Sequence, residues 1–568
     1  MIARIATRVA HMNGARGWIF ASVVIAAIVL APVVALVAIA AQGSGDLWPH
    51  LARYVLPQAV RDTSLLLAGV GAITIVVGVG TAWLVATCRF PGRALFDWAL
   101  LLPLAVPTYI VAFAYLDVLH PLGPIQTFAR AVLGIDDPRG FWLPEVRSLP
   151  GAIVLLGFVL YPYVYLAARA LFLMQSAPVL EVARTLGASG TRTFFRVALP
   201  LARPAIVVGA TLAMLEALND IGASEFLGVR TFTVSIYATW LNRSSLPGAA
   251  QIALVMLAAV IALVLLERWG RRRQRFTGGA RRTHPPSPAE LGGLAALGAF
   301  VSCLMPILIG FVIPTAHLAH QAWTRVSLFG LSPHLLIEAR NSIGFAAVAT
   351  VIALIFGMVL AYSVRLDRSG VAATAARIAS IGYAIPGTVL AVGLLTPLAT
   401  FDNLVDAAAG RFFGVSTGLL ISGSGAALVL AYVIRFLAIS AGGVEAGFAK
   451  IPSSFDGAAR SLGETASGTV RRIHLPLLSP ALGAAAILVF VDCMKELPAT
   501  LLLRPFGFET LATHIYAEAS RGSYEDGAVA ALLIVLVGLG PVVLLARMSR
   551  PMLVLSGRSG SGSPRGDV

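Results

Sequence analysis

Charge is the scarcest property of this sequence: 12% of its 568 residues are Asp, Glu, Lys or Arg, while 58% are hydrophobic. An ordinary soluble domain carries roughly 25% charged residues, so a soluble enzyme is excluded. Lysine is nearly absent, confined to Lys450 and Lys495. Neither follows a glycine, and a P-loop needs Gly-Lys-Ser/Thr so that the lysine reaches the β- and γ-phosphates; the chain contains no standard Walker A site. Cysteine is almost as rare. Cys88, Cys303 and Cys493 fall in or at the end of apolar segments with no CxxC spacing, which indicates neither a zinc site nor a disulfide framework and leaves small core residues. No GxSxG, HExxH or paired catalytic His/Asp pattern supports an enzyme.

What the sequence has is long apolar runs, near 18–41, 64–87, 96–118, 148–172, 204–226 and 249–266, then near 291–315, 343–364, 376–398, 417–439, 478–503 and 525–546. At roughly 20 residues per span these predict about twelve transmembrane helices, six plus six, in an all-α integral membrane protein. The first run follows Arg4, Arg8 and Arg16 like a signal peptide, but it is longer than the usual h-region of about 7 to 15 residues and is expected to stay as the first helix. Between the two sets lie Arg268, Arg271, Arg272, Arg273, Arg275, Arg281 and Arg282 and then His284-Pro285-Pro286-Ser287-Pro288, a basic linker that cannot enter the bilayer. With that linker cytoplasmic, the arginines of alternate loops also fall inside, and the positive-inside rule places both termini in the cytoplasm. The net charge of +15 is then loop excess, with no nucleic-acid partner, and the Gly/Ser-rich end 556–568 is expected to be a disordered tail.

A shift of 276 residues superimposes Ala183, Arg184, Leu186 and Gly187 on Ala459, Arg460, Leu462 and Gly463, and Leu199, Pro200 and Pro204 on Leu475, Pro476 and Pro480. An even number of spans separates the copies, so the repeat is parallel and predicts two halves about an axis along the membrane normal. Each copy reads as a short helix, a break and a second helix. Gly187 stands where positive φ is cheap, Pro200 and Pro204 mark the next span, and in the second copy Ser453 and Asp456 form a capping pair.

The segment Glu181-Val-Ala-Arg-Thr-Leu-Gly187-Ala with Val197-Ala-Leu-Pro200 resembles the EAA loop of permease subunits of type I binding-protein-dependent ABC importers. The second copy, Gly457-Ala-Ala-Arg-Ser-Leu-Gly463 through Ile473-His-Leu-Pro476, has Gly457 where the acidic residue stands and Glu464 after the glycine. The resemblance implies two fused type-1 transmembrane domains, 61–267 and 341–547. Segment 1–60 holds the first helix, 268–340 the linker with the seventh helix, and 548–568 the tail. It also implies a bacterial inner-membrane location, a periplasmic binding protein, and separate cytoplasmic ATPase subunits, two in number, that use ATP while this chain binds no cofactor. Glu181, Ala183, Arg184, Gly187, Leu199, Pro200, Ala459, Arg460, Gly463, Leu475 and Pro476 are then the ATPase-coupling residues.

The fifth span of each half is unusually polar. Glu216, Asn219 and Asp220 fall opposite Asp492, Lys495 and Glu496 at the same offset, with Glu225 beyond. A charge at mid-bilayer costs about 2.5 to 3.5 kcal/mol on insertion scales, so these residues need water or partners and are candidates for the translocation path or for an ion pair between halves, with Lys495 meeting Asp220 or Asp492. The stretch Lys495 to Ala512, with Arg504, resembles the ferric-iron branch of the fused permeases, which implies ferric iron as cargo. Thiamine, polyamine, sulfate or phosphonate uptake, and a secondary transporter driven by an ion gradient, remain as alternatives. His317 and His320 are expected on an outer loop as surface residues, and no metal cage is expected.

Overall fold

In a computed structural model, which describes residues 2–135, 137, 145–174, 189–271, 289–367 and 369–548, the apolar runs fold as helices long enough to cross a bilayer. Eleven such helices are present among the described residues, or twelve when one pair bent by 90° counts as a single span. In order they are Arg16–Ala41, Leu47–Thr87, the bent pair Arg93–Ala105 and Thr108–Val118, Leu149–Leu173, Gly190–Asn219 and Leu246–Gly270 in the first half. The second half supplies Gly293–Phe329, Pro333–Leu366, Gly387–Phe413, Ala426–Phe448, Ala466–Met494 and Tyr524–Leu545. These segments are helical because every backbone polar group must be satisfied within the segment when no water is available.

The expected repeat is visible in the local backbone. Helix Gly190–Thr193, a wide π turn Phe194–Ala198 and helix Leu199–Asn219 are matched by Ala466–Thr469, Val470–His474 and Leu475–Met494. In both copies the π turn ends where Pro200 or Pro476 removes an N–H from the next helix, and a proline there forces the upstream turn to widen. Expectation and structure differ at four spans. The third and ninth runs are not continuous, because Val106 and Ile385 precede Pro107 and Pro386 and are extended (ψ 115° and 121°), as the proline ring demands of its neighbour. The fifth and eleventh runs stop at Asn219 and Met494, and short helices Gly222–Phe226 and Pro498–Leu503 follow the breaks.

The two halves exchange their first helices. Span Arg16–Ala41 packs against the second half, where Ser363 Oγ donates to Trp18 O (2.8 Å) and the Trp18 and Tyr362 rings meet edge-on. Span Gly293–Phe329 packs against the first half, and Tyr115 Oη donates to Ile309 O (2.8 Å). The linker ends in a two-residue parallel ladder, Cys88 on Ala289 and Arg89 on Glu290, which ties it to the end of the second span. The first limb of the bent third span is held by Arg169, whose Nε and Nη2 both bond Asp97 (2.7 Å each), and by Tyr161 Oη donating to Leu100 O (2.9 Å).

Candidate functional site

All four helix breaks converge on one cavity of about 120 Å³ between the halves, lined among others by Pro107, Thr108, Tyr109, Tyr163, Glu216, Asn219, Asp220, Tyr383, Arg435, Asp492, Lys495 and Glu496. The six residues expected from sequence for the path, Glu216, Asn219, Asp220, Asp492, Lys495 and Glu496, all line it. They do not sit inside continuous helices as the runs suggested. They sit at or beside the breaks, where freed backbone groups give the charges something to bond.

Asp220 and Glu496, matched by the repeat, do the same work. Asp220 Oδ1 accepts from the N–H groups of Ala223 (2.6 Å) and Ser224 (3.2 Å), and its other oxygen accepts from Thr108 Oγ1. Glu496 accepts from the N–H groups of Ala499 (3.0 Å) and Thr500 (3.1 Å) and from Thr500 Oγ1 (2.9 Å). Each carboxylate thus occupies the electropositive start of the short helix that follows it. Lys495 pairs with Asp492 at 2.9 Å, one turn back on its own helix. Asp220, the other partner considered from sequence, is already engaged by Thr108 and two backbone donors. Glu216 accepts from Tyr383 Oη of the other half (3.3 Å), and Glu225 accepts from Tyr516 Oη, also of the other half.

Sequence reasoning missed Arg435. Its Nη1 lies 3.4 Å from Glu496 Oε1, and both residues are buried (8% and 4% exposed). The signal was present as a lone cation inside the apolar run Ala426–Phe448. Gly387, just after the Pro386 break, makes room for the pair: a Cβ there would lie 2.3 Å from Arg435 Nη1 and 2.7 Å from Glu496 Oε1. Three buried polar atoms of cavity-lining residues have no hydrogen-bond partner among the described residues, namely Asn219 Oδ1, Tyr109 Oη and Arg435 Nη1. Buried polar groups are normally satisfied, so Asn219 Oδ1 and Tyr109 Oη are available to water or a passing solute, while Arg435 Nη1 faces the Glu496 carboxylate. No cluster of three metal-ligating side chains occurs among the described residues.

At the other end of the fifth and eleventh spans lie the repeated loops. Glu181, Ala183, Arg184 and Gly187 lie outside the described residues, while Leu199 and Pro200 begin the helix that follows the π turn of the fifth span. In the second copy helix Ser454–Ser461 begins as expected, but Ser453 makes no side-chain cap. Asp456 turns inward instead, accepting from Arg365 Nε and His474 Nε2 at 2.8 Å each. Burial opposes the ionised form, yet Arg365 and His474 together hold the Asp456 carboxyl below the usual carboxylate range. Ala459 packs inward beside it, while Phe455, Arg460 and Leu462 (84% exposed) face outward. Gly463 ends the helix at φ +84°, and Leu475 and Pro476 begin the helix that follows the π turn of the eleventh span. Arg504 pairs with Glu509. His317 corrects its expectation: it lies on helix Ile313–Phe329, not a loop, and its Nε2 is 2.8 Å from Asp117 Oδ2, while His320 is exposed.

The family model for the binding-protein-dependent transport system inner membrane component matches residues 74–276. Over 502 residues, 88% of this chain and 91% of the relative, the sequence is 25% identical to the Fe(3+)-transport system permease protein FbpB 2 of Haemophilus influenzae. Over 208 residues, 36% of this chain and 87% of the relative, it is 30% identical to the molybdenum transport system permease protein ModB of Escherichia coli. The sulfate transport system permease protein CysT of Escherichia coli is 28% identical over 262 residues, 43% of this chain and 89% of the relative.

Proposed function

Since this chain belongs to the family of binding-protein-dependent transport system inner membrane components, and is the fused-repeat permease of an ABC importer, we propose that its cargo is ferric iron and that the cargo passes through the cavity at the four helix breaks. The observation that carries the choice of cargo is the charge of that cavity. Glu216, Asp220, Asp492 and Glu496 stand against Arg435 and Lys495, four acids to two bases. In a site walled by apolar helices such an excess favours a cation and raises the energy of a molybdate or sulfate dianion. One relative that spans nearly the whole chain is an Fe(3+)-transport permease, whereas the molybdenum and sulfate permeases cover half of it or less.

The partners are a substrate-binding protein on the outer face and an ATPase on the cytoplasmic face. In this reading two ATPase subunits dock, one on the loop containing Glu181 to Gly187 and one on the outward side of Ser454–Ser461, and both termini and the 268–290 linker are cytoplasmic. The permease units are 61–267 and 341–547, and hydrolysis belongs to the partner. The cargo is tested by uptake of radiolabelled ferric iron into proteoliposomes holding the chain, its ATPase and its binding protein. ATP-dependent iron accumulation is expected, and accumulation of molybdate or sulfate without iron would overturn the reading.

Coupling has its own test. At φ +84° a β-branched residue is strained by about 1–2 kcal/mol, and nothing lies within 4 Å of a Cβ at Gly463, so the strain acts on the backbone alone. Gly463→Val is expected to lower co-purification of the ATPase, or to leave hydrolysis running without uptake, while the permease still inserts. The same change at Gly187 is expected to be worse, because Glu181 keeps the acidic position that Gly457 lacks. Wild-type uptake in both variants would refute the assignment.

A further inference from the structure

Two helical segments on the face opposite the coupling loops carry their polar side inward and their apolar side outward. Helix Pro124–Leu133 follows the third span after the turn 119–123. Gln126 and Arg130 are each 7% exposed; Gln126 Nε2 donates to Leu119 O (2.9 Å) and Arg130 Nη1 to Pro121 O (2.7 Å). Leu122, Phe128 and Val132 are 69%, 72% and 68% exposed. The 276-residue offset carries Ile125, Gln126 and Phe128 onto Phe401, Asp402 and Leu404, near the end of helix Gly387–Phe413. There Asp402 is buried and accepts from the N–H groups of Ile421 (2.9 Å) and Ser422 (2.8 Å), while Phe401 and Leu404 are 50% and 66% exposed. The inversion therefore recurs at matched positions although the side chains differ.

A face of this kind, apolar apart from Arg411 in the last turn of the second segment, is not a surface for water, and a protein-binding surface carries a polar rim around its apolar centre. An amphipathic helix at a bilayer surface buries its apolar face roughly 5–10 Å deep, at the boundary between headgroups and acyl chains. The limbs that lead to them, Thr108–Val118 and the start of Gly387–Phe413, are packed inside the protein, so exposed apolar side chains begin only at these outer ends, whereas on the second span Val76 is 73% exposed at mid-helix. We propose that 124–133 and the matched end of 387–413 are interfacial anchors that dip into phospholipid, with Ile125, Phe128, Phe401 and Leu404 as the inserted side chains. The first anchor follows, across the turn 119–123, the helix Thr108–Val118 that begins at the Pro107 break, and the second is the outer end of the helix that begins at Pro386. Holding those outer ends at fixed depth holds the breaks in register with each other. This inference needs a chain that spans a bilayer and is independent of the cargo.

The test places a nitroxide label at Phe128→Cys and Leu404→Cys, one at a time, in the full chain in phosphatidylcholine–phosphatidylglycerol liposomes. The native cysteines are 8%, 0% and 2% exposed, so labelling goes to the introduced site. Electron paramagnetic resonance then compares collisions with oxygen, which concentrates in lipid, and with a water-soluble nickel chelate. The oxygen-to-nickel ratio is expected to be about threefold or more above that at Gln42→Cys, in the loop after the first span, and to approach that at Val76→Cys. A ratio matching Gln42 at either site would overturn the paired anchors. So would a label shielded from both reagents, or one shielded only when the binding protein is added.

Discussion

Glu496→Ala is expected to remove most of the permease from the membrane. The carboxylate serves two groups at once: it caps Pro498–Leu503 through the N–H groups of Ala499 and Thr500, and it faces the Arg435 guanidinium across 3.4 Å. Losing the cap costs about 1 kcal/mol, and leaving a buried guanidinium without its counter-charge costs about 3–5 kcal/mol. Together these reach the low end of the whole stability of a typical domain, about 5–15 kcal/mol. Adding Arg435→Ala removes the stranded charge and is expected to recover much of the protein, short of the wild type because the cap is still missing. Gly387→Val reaches the same pair by another route, since its Cβ would lie only 2.3 Å from Arg435 Nη1 and force the pair apart. Protein abundance in membranes and thermal unfolding in detergent read all of these variants. If Glu496→Ala accumulates and melts like the wild type, the pair has no structural weight.

The sequence made the span count, the parallel repeat and the six acidic, amide and basic cavity residues legible, because each rests on a local signal: an apolar run, an offset, or a charge where charge is costly. What it hid was the geometry of the breaks. Reading 204–226 and 478–503 as unbroken helices put Asp220 and Glu496 on helix faces, where each would need water or a partner. With the helix stopped, free N–H groups at Ala223, Ser224, Ala499 and Thr500 are the partners. The X-Pro steps at Val106-Pro107 and Ile385-Pro386 were readable punctuation masked by the hydropathy around them. Arg435 was overlooked because one cation barely lowers the mean hydropathy of Ala426–Phe448. Asp456 was misread for a different reason: its sequence neighbour Ser453 suggested a local cap, and its actual partners, Arg365 and His474, lie 91 and 18 residues away.

Lys495→Ala is expected to lower ferric-iron uptake about tenfold while protein abundance stays near normal. Its side chain and that of Asp492 are 29% and 25% exposed to the cavity, so water shares the work of solvating each charge. Breaking such a pair costs folding roughly 1 kcal/mol, unlike the loss of Glu496. Transport suffers more, because the cavity then presents four acids to one base, and a site must bind its ion weakly enough to release it. A tenfold slowing needs only about 1.4 kcal/mol of extra barrier, less than the ~4 kcal/mol interaction of two unit charges 4 Å apart at an effective dielectric of 20. Asp492→Ala in the same chain restores the two-charge excess and is expected to recover part of the uptake. Asp220→Ala restores the same formal charge but uncaps Gly222–Phe226 and strands the Thr108 hydroxyl, so that double variant is expected to stay defective. Uptake normalised to membrane protein separates the two cases. Recovery through Asp220 and not Asp492 would show that Lys495 works across the halves, and full uptake by Lys495→Ala alone would show that the charge balance of the cavity does not govern transport.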